Sequence, residues 1–157
     1  ETARAQAIAA QVVEWMQPGW LYILGPGTTT RAIAERLGLP KTLGGVDGYN
    51  EHDIVAQDVR ESQLFELIQD KPAKIIVTPI GGQGFIFGRG NQPISPRVIR
   101  KVGRKNILVV SLAEKLNALR GEPLLVDTGD VSVDKMLAGH LPVITGYQEK
   151  VVYRVAG

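Results

Sequence analysis

Three short stretches carry residues whose types and spacing suit phosphate or nucleotide chemistry. The first is Gly25-Pro26-Gly27-Thr28-Thr29-Thr30, which follows an apolar run and opens a helical pattern. Gly25 and Gly27 permit close backbone approach. Thr28, Thr29 and Thr30 add hydroxyls to the free amides of a helix N-terminus, a combination that suits an anion. The stretch lacks the lysine that a P-loop places after its second glycine. A tight strand-to-helix turn with a threonine N-cap explains the same residues in structural terms.

The second stretch is Thr78 to Pro96, TPIGGQGFIFGRGNQPISP, in which Gly81, Gly82, Gly84, Gly88 and Gly90 surround Phe85-Ile86-Phe87. It runs from a strand to a helix over about fifteen residues, and loops that long in a compact domain usually have a function. Gly81, Gly82 and Gly84 can turn backbone amides toward a ligand, Arg89 can reach a phosphate, and Asn91 and Gln92 can read polar edges. The structural alternative is a loop pinned by Phe85 and Phe87. The third stretch is Val126-Asp127-Thr128-Gly129-Asp130. Asp127 ends a strand and Asp130 precedes a helix. The two carboxylates could hold Mg²⁺ through water or contact a ribose or substrate hydroxyl, and a capped turn explains them equally well. Asp47 in GGVDG could join them. His52 and His140 are isolated and read as surface or loop residues, and Arg97, Arg100, Lys101, Arg104 and Lys105 read as a solvated helix face.

The elements that must position these stretches alternate between strand and helix. Residues 2–17 read as a helix with Ile8, Val12, Trp15 and Met16 on one face. Leu21–Leu24 is a short buried strand, and helices are expected over 28–38, 60–70, 96–102 and 113–120. Further strands are expected at 42–47, 73–80, the NILVVSL run and PLLV, with Gly48-Tyr49-Asn50 as a turn. Asp130 or Ser132 caps a short helix to Leu137, and the last residues form two strands joined near Gly146 to Glu149. The pattern implies a three-layer, Rossmann-like α/β domain with a mainly parallel sheet. Its C-terminal antiparallel hairpin is expected at an edge of the sheet.

Bulk properties narrow the function classes. A chain of 157 residues fits a single domain over 1–157. A net charge of +2 gives no ground for nucleic-acid binding, and no apolar run suggests a membrane span. The absence of cysteine excludes disulfides and thiolate metal sites and fits a reducing, cytoplasmic setting. The chain opens on Glu1 inside a helical pattern, so it is expected to be cut from a longer protein.

LYILGPGTTTRAIAERLGLPKTL, KIIVTPIGGQGFIFGRGNQPISPRVIRKVGRKNILVV and the LLVDTGD and VITGY segments together resemble the carboxyl-terminal region of the ATP-NAD kinase family. The likeness is to its prokaryotic branch of polyphosphate- or ATP-dependent NAD kinases, and it runs from Ala3 to the final VVYRV. The resemblance implies phosphoryl transfer from ATP or polyphosphate to the 2′-hydroxyl of NAD, in a protein of two lobes. The family's amino-terminal lobe carries a Gly-Gly-Asp-Gly motif whose aspartate acts on the acceptor hydroxyl. This chain lacks it, because GGVDG at 44–48 inserts Val46, so the role does not pass to Asp47. The expected partners are a nucleotide or phosphate ligand, an amino-terminal lobe, and a second copy docking around Phe85-Ile86-Phe87.

Three functions fit. An NAD kinase-like phosphotransferase domain would use Gly25–Thr30 and Gly81–Gln92 on phosphates, with Asp127 or Asp130 on Mg²⁺ or a hydroxyl. A non-catalytic nucleotide-binding or docking module would bind without turnover. A sugar-phosphate isomerase-like enzyme is suggested only by analogy with the GPGTTT strand-turn-helix.

Overall fold

Alternating burial explains how short strands can form a two-sided sheet. The computed structural model describes residues 2–157. In β1 (Leu21–Leu24), Leu21 and Ile23 join one apolar cluster while Tyr22 and Leu24 join another. β4 (Ala73–Val77) divides likewise, with Ile75 and Val77 on one side and Ile76 on the other. A strand buried on both faces reads as an unbroken apolar run. The first face is covered by α1 (Thr2–Trp15) and α2 (Thr28–Arg36), through Ile8, Ala9, Val12, Ala32 and Ile33. The second is covered by α3 (Glu61–Leu67), α4 (Pro96–Val102) and α6 (Val131–Leu137). The three expected layers are therefore present. Trp15, expected inward, is 46% exposed, because α1 ends there and its last turn overhangs the sheet margin beside Trp20.

The remaining strands are β2 (Asp47–Tyr49), β3 (Ile54–Ala56), β5 (Phe85–Phe87), β6 (Ile107–Val110), β7 (Leu124–Val126), β8 (Gly139–Gly146) and β9 (Glu149–Ala156). A short α5 (Ala113–Asn117) follows β6. The sheet order is β3-β2-β1-β4-β6-β8-β9-β7-β5. β1, β4, β6 and β8 run parallel, and β9, β7 and β5 form a second parallel set, joined to the first by the antiparallel β8–β9 pair.

Three expectations are corrected here. The C-terminal hairpin exists but lies inside the sheet, because β8 bonds to β6 and β9 bonds to β7. The second strand starts at Asp47 and includes Gly48 and Tyr49, where the sequence pattern suggests a turn; residues 42–46 are loop. The glycine-rich stretch is also not continuous loop. Ile80 and Phe85 close a tight turn, with Ile80 N–H donating to Phe85 O at 2.8 Å, and Phe85–Phe87 then pairs with β7. The sheet thus curls until its last strand returns to the continuation of β4.

The loop following β5 is fastened where α4 begins. Ser95 caps α4 by accepting from Val98 N–H, and its hydroxyl donates to Glu61 Oε2 at 2.6 Å. Arg97 adds two bonds to the same carboxylate, both at 2.7 Å. Arg97, and then Ser95, hold the Glu61 pKa down to about 2 from 4.5. A depressed carboxylate stabilises the fold fully above its unfolded pKa, and this stabilisation disappears as pH falls from 4.5 toward about 2. Urea midpoints of Glu61→Gln should therefore fall less steeply with acid than those of the parent chain across that window. Identical slopes would show that this clamp does not contribute to acid sensitivity.

Candidate functional site

The chain leaves β1 toward β2 and β3 on one side, then returns to β4 on the other. The order thus reverses between β1 and β4, and ligands of open α/β sheets bind outside the carboxyl ends of strands at such a point. The loops located there begin at Gly25 and Thr78. Gly25 N–H donates to Ile76 O at 3.0 Å, extending the β1–β4 ladder by one bond. Gly27 then sits at φ +129°, and a Cβ there would lie 2.6 Å from Thr78 Cγ2. Glycine is required at 27 for both reasons. At Gly25 a Cβ would meet only ordinary contacts, the nearest 3.5 Å away.

Gly27 is the N-cap of α2 and provides no side-chain cap. The first bond of the helix is Arg31 N–H to Gly27 O at 3.1 Å, which leaves the amides of Thr28, Thr29 and Thr30 without intrahelical partners. These amides carry the positive end of the helix dipole. The three hydroxyls differ. Thr30 is fully buried, with Oγ1 2.7 Å from Gly25 O and 3.0 Å from Gly27 O, so it braces the turn. Thr28 and Thr29 line a cleft of about 360 Å³ together with Gln6, Arg31, Leu112 and one carboxylate, Glu35. Beside them Thr78, only 3% exposed, has a buried hydroxyl with no hydrogen-bond partner. An unpartnered buried hydroxyl costs about 1–3 kcal/mol. Lys115 Nζ donates to Pro79 O at 3.2 Å in the same region. Neither Thr78 nor Lys115 stood out in the sequence, because neither lies in a recognisable spacing with the Gly25 turn.

The other expected residues divide into groups. Asn91 is fully buried; it donates to Ile86 O at 2.9 Å and accepts from Gly88 N–H at 3.2 Å, so it holds the loop. Its Nδ2 lies 3.9 Å from a Cβ built on Gly25, which joins the two glycine-rich stretches. Gln92 is exposed. Gly81 and Gly82 are exposed, with open space around them, whereas Gly84 packs against Leu119 and Leu124. Arg89 stacks 4.1 Å from the Phe85 ring and pairs with Asp127 at 3.2 Å, both side chains being about half exposed. Asp130 caps α6 by accepting from Ser132 N–H at 2.9 Å and Val133 N–H at 3.2 Å. The Ser132 hydroxyl, and then the Val133 amide, hold its pKa below the usual range.

Asp47 is fully buried in a 2.6 Å ion pair with Lys41. It also accepts from Thr42 N–H, the Thr42 hydroxyl and Asp58 N–H. Its oxygens are thus committed to fixing the loop before β2. Burial lowers the Lys41 pKa, against the pull of Asp47. No group of three or more His, Cys, Asp or Glu residues suited to a metal occurs among the described residues.

Comparison with known families decides the assignment. The ATP-NAD kinase C-terminal domain matches residues 19–155. This chain belongs to that family. No match was found among curated proteins or solved structures. The matched span of this ATP-NAD kinase domain contains every loop described above and implies an NAD kinase-like role. It starts after α1, although α1 fills one face of the sheet with Ile8, Ala9 and Val12. No helix among the described residues is long and apolar enough to cross a membrane.

Asn91 and Gln92 provide a direct test of the loop's construction. Asn91→Ala leaves the buried Ile86 carbonyl and the partly buried Gly88 amide without partners, and should destabilise the chain by about 1–3 kcal/mol, read from the urea midpoint. Gln92→Ala should change it by less than about 0.5 kcal/mol. Equal effects would mean that Asn91 does not hold the loop.

Proposed function

We propose that the chain is the nucleotide-holding domain of an NAD kinase-like phosphotransferase, the carboxyl-terminal part of a longer protein. ATP or polyphosphate is the donor, and the 2′-hydroxyl of NAD is the acceptor. The observation that carries this reading is the uncapped N-terminus of α2 at the switch point between β1 and β4, inside the family-matched span. Phosphoryl transfer needs little covalent participation by protein; it needs positioning and charge stabilisation.

In this reading the amides of Thr28, Thr29 and Thr30 hold a phosphate, helped by the Thr28 and Thr29 hydroxyls. The open turn at Gly81 and Gly82 supplies further amides. Arg89 reaches the donor by leaving Asp127, an exchange open to it because exposed pairs contribute only about 0–1 kcal/mol. Asp127 is the freer of the two carboxylates. Its exposed oxygens suit Mg²⁺, which is commonly held by one or two carboxylates together with phosphate oxygens and would neutralise charge on the transferred group. Asp130 borders that position while capping α6. The acceptor hydroxyl attacks phosphorus, its proton passes to a base, and the donor's remaining phosphates leave. That base is the aspartate of the family's Gly-Gly-Asp-Gly motif, which this chain lacks, so turnover requires the amino-terminal lobe.

The missing motif and the commitment of Asp130 to its cap favour one second reading, a module that binds without catalysing. Calorimetric titration with NAD, ATP and polyphosphate tests the proposal. At least one should bind, and Arg89→Ala should weaken it about tenfold while shifting stability by less than about 1 kcal/mol. Absence of heat for all three with folded protein overturns the proposal. Conversion of NAD to NADP by this chain once it is joined to a lobe carrying the Gly-Gly-Asp-Gly motif would reject the binding module.

A further inference from the structure

The opposite, amino margin of the parallel strands contains a second pocket. Its volume is about 290 Å³, near the lower limit of roughly 300 Å³ for ligand cavities, so it suits one small ring system better than a dinucleotide. Val12, Trp15, Trp20, Tyr22, Lys74 and Leu108 line it. Trp20 precedes β1, while Lys74 and Leu108 are the second residues of β4 and β6, so the pocket is separated from the Gly25–Thr30 turn by the length of the strands.

Four observations mark this pocket as more than a surface dent. The chain has only two tryptophans, and both line it. Trp15 is 46% exposed at the end of the helix that buries Ile8 and Val12, so an aromatic wall stands open to solvent. Lys74 interrupts a central strand otherwise composed of Ala73, Ile75, Ile76 and Val77. A parallel strand covered on both faces normally carries an apolar residue there. The Lys74 ammonium lies 5.0 Å from the Trp20 ring and 3.3 Å from Asn106 Oδ1, and no carboxylate is paired with it among the described residues. The Tyr22 hydroxyl accepts from Gln17 N–H at 2.6 Å, and its own proton meets no acceptor among the described residues.

We propose that this pocket binds a small aromatic anion, with its ring against Trp15 and Trp20 and its negative group on Lys74. Flat rings stack on tryptophan, and an ammonium without a counter-ion favours an anionic group. Such a ligand would act as an effector or second-site ligand, independent of the phosphate-binding turn.

Because both tryptophans lie in the pocket, intrinsic fluorescence reports its occupancy directly. The probes are AMP and nicotinate as aromatic anions, nicotinamide as a neutral ring, and inorganic phosphate as an anion without a ring. At least one aromatic anion should give a saturable change, nicotinamide a weaker one, and phosphate none. Lys74→Met should weaken the aromatic anion roughly tenfold, the loss of one charge-assisted contact. Trp20→Leu should weaken the aromatic anion and leave only the smaller Trp15 response, while calorimetric binding at the Gly25 turn stays intact, which separates failure here from failure of the proposed function. The inference is overturned if no aromatic anion gives a saturable change with protein shown folded by circular dichroism. It is also overturned if the response is the same in Lys74→Met, or if phosphate alone reproduces it.

Discussion

The approach of Gly27 to Thr78 is the contact on which the arrangement of the loops beyond β1 and β4 depends. β1 and β4 are adjacent, and the ladder between them continues into the turn as far as Gly25. The chain must then leave the sheet and start α2 while pressed against the end of β4. Only glycine meets both demands at position 27, with φ +129° and 2.6 Å between a built Cβ and Thr78 Cγ2. The Thr30 hydroxyl secures the turn from inside. The uncapped amides are therefore fixed in place before any ligand arrives, and a preorganised site loses less ordering entropy on binding.

The alternation of strands and helices was legible because buried strands such as ILVV and KIIV are short, β-branched and bounded by helix signals. The Gly25 turn and the Asp130 cap were legible as local chemistry. Three features were not. The hairpin was placed at an edge, yet its position depends on which distant strands pair with β8 and β9, and no local spacing encodes that. The start of β2 was missed because its first residue is a buried aspartate, which reads as loop until Lys41 is seen beside it. Asn91 read as a ligand contact, but both ends of its amide are held by backbone at residues 86 and 88.

Curling of the sheet accounts for aromatic residues within a glycine-rich run. β5 pairs with β7 on one side, and Phe85 is bridged on the other to Ile80, three residues past the end of β4. Ile86 and Phe87 are completely buried in the cluster that includes Ile75, Val77 and Val109. The glycines on either side serve the chain's entry into and exit from this short strand. A Cβ at Gly88 would fall 1.8 Å from the Asp127 carbonyl oxygen, so the chain can leave β5 pressed against the backbone that follows β7 only because glycine stands there. Ile86 and Phe87 are core and Phe85 is half-buried beneath Arg89, so Gly81, Gly82 and Arg89 are the exposed part of the run.

Asp47 and Asp127 look alike in sequence, each following an apolar residue and preceding a turn-forming one. Burial gives them opposite properties. Asp47 and Lys41 are both sealed from solvent, so removing either partner would leave an uncompensated charge at a cost of about 3–5 kcal/mol. Asp127 and Arg89 are about half exposed, and water screens most of their attraction. The first pair is fixed and keeps the loop before β2 in place. The second can exchange partners, which a side chain must do if it is to meet an arriving anion. Residue type therefore located the carboxylates, and desolvation decided which of them is free to act.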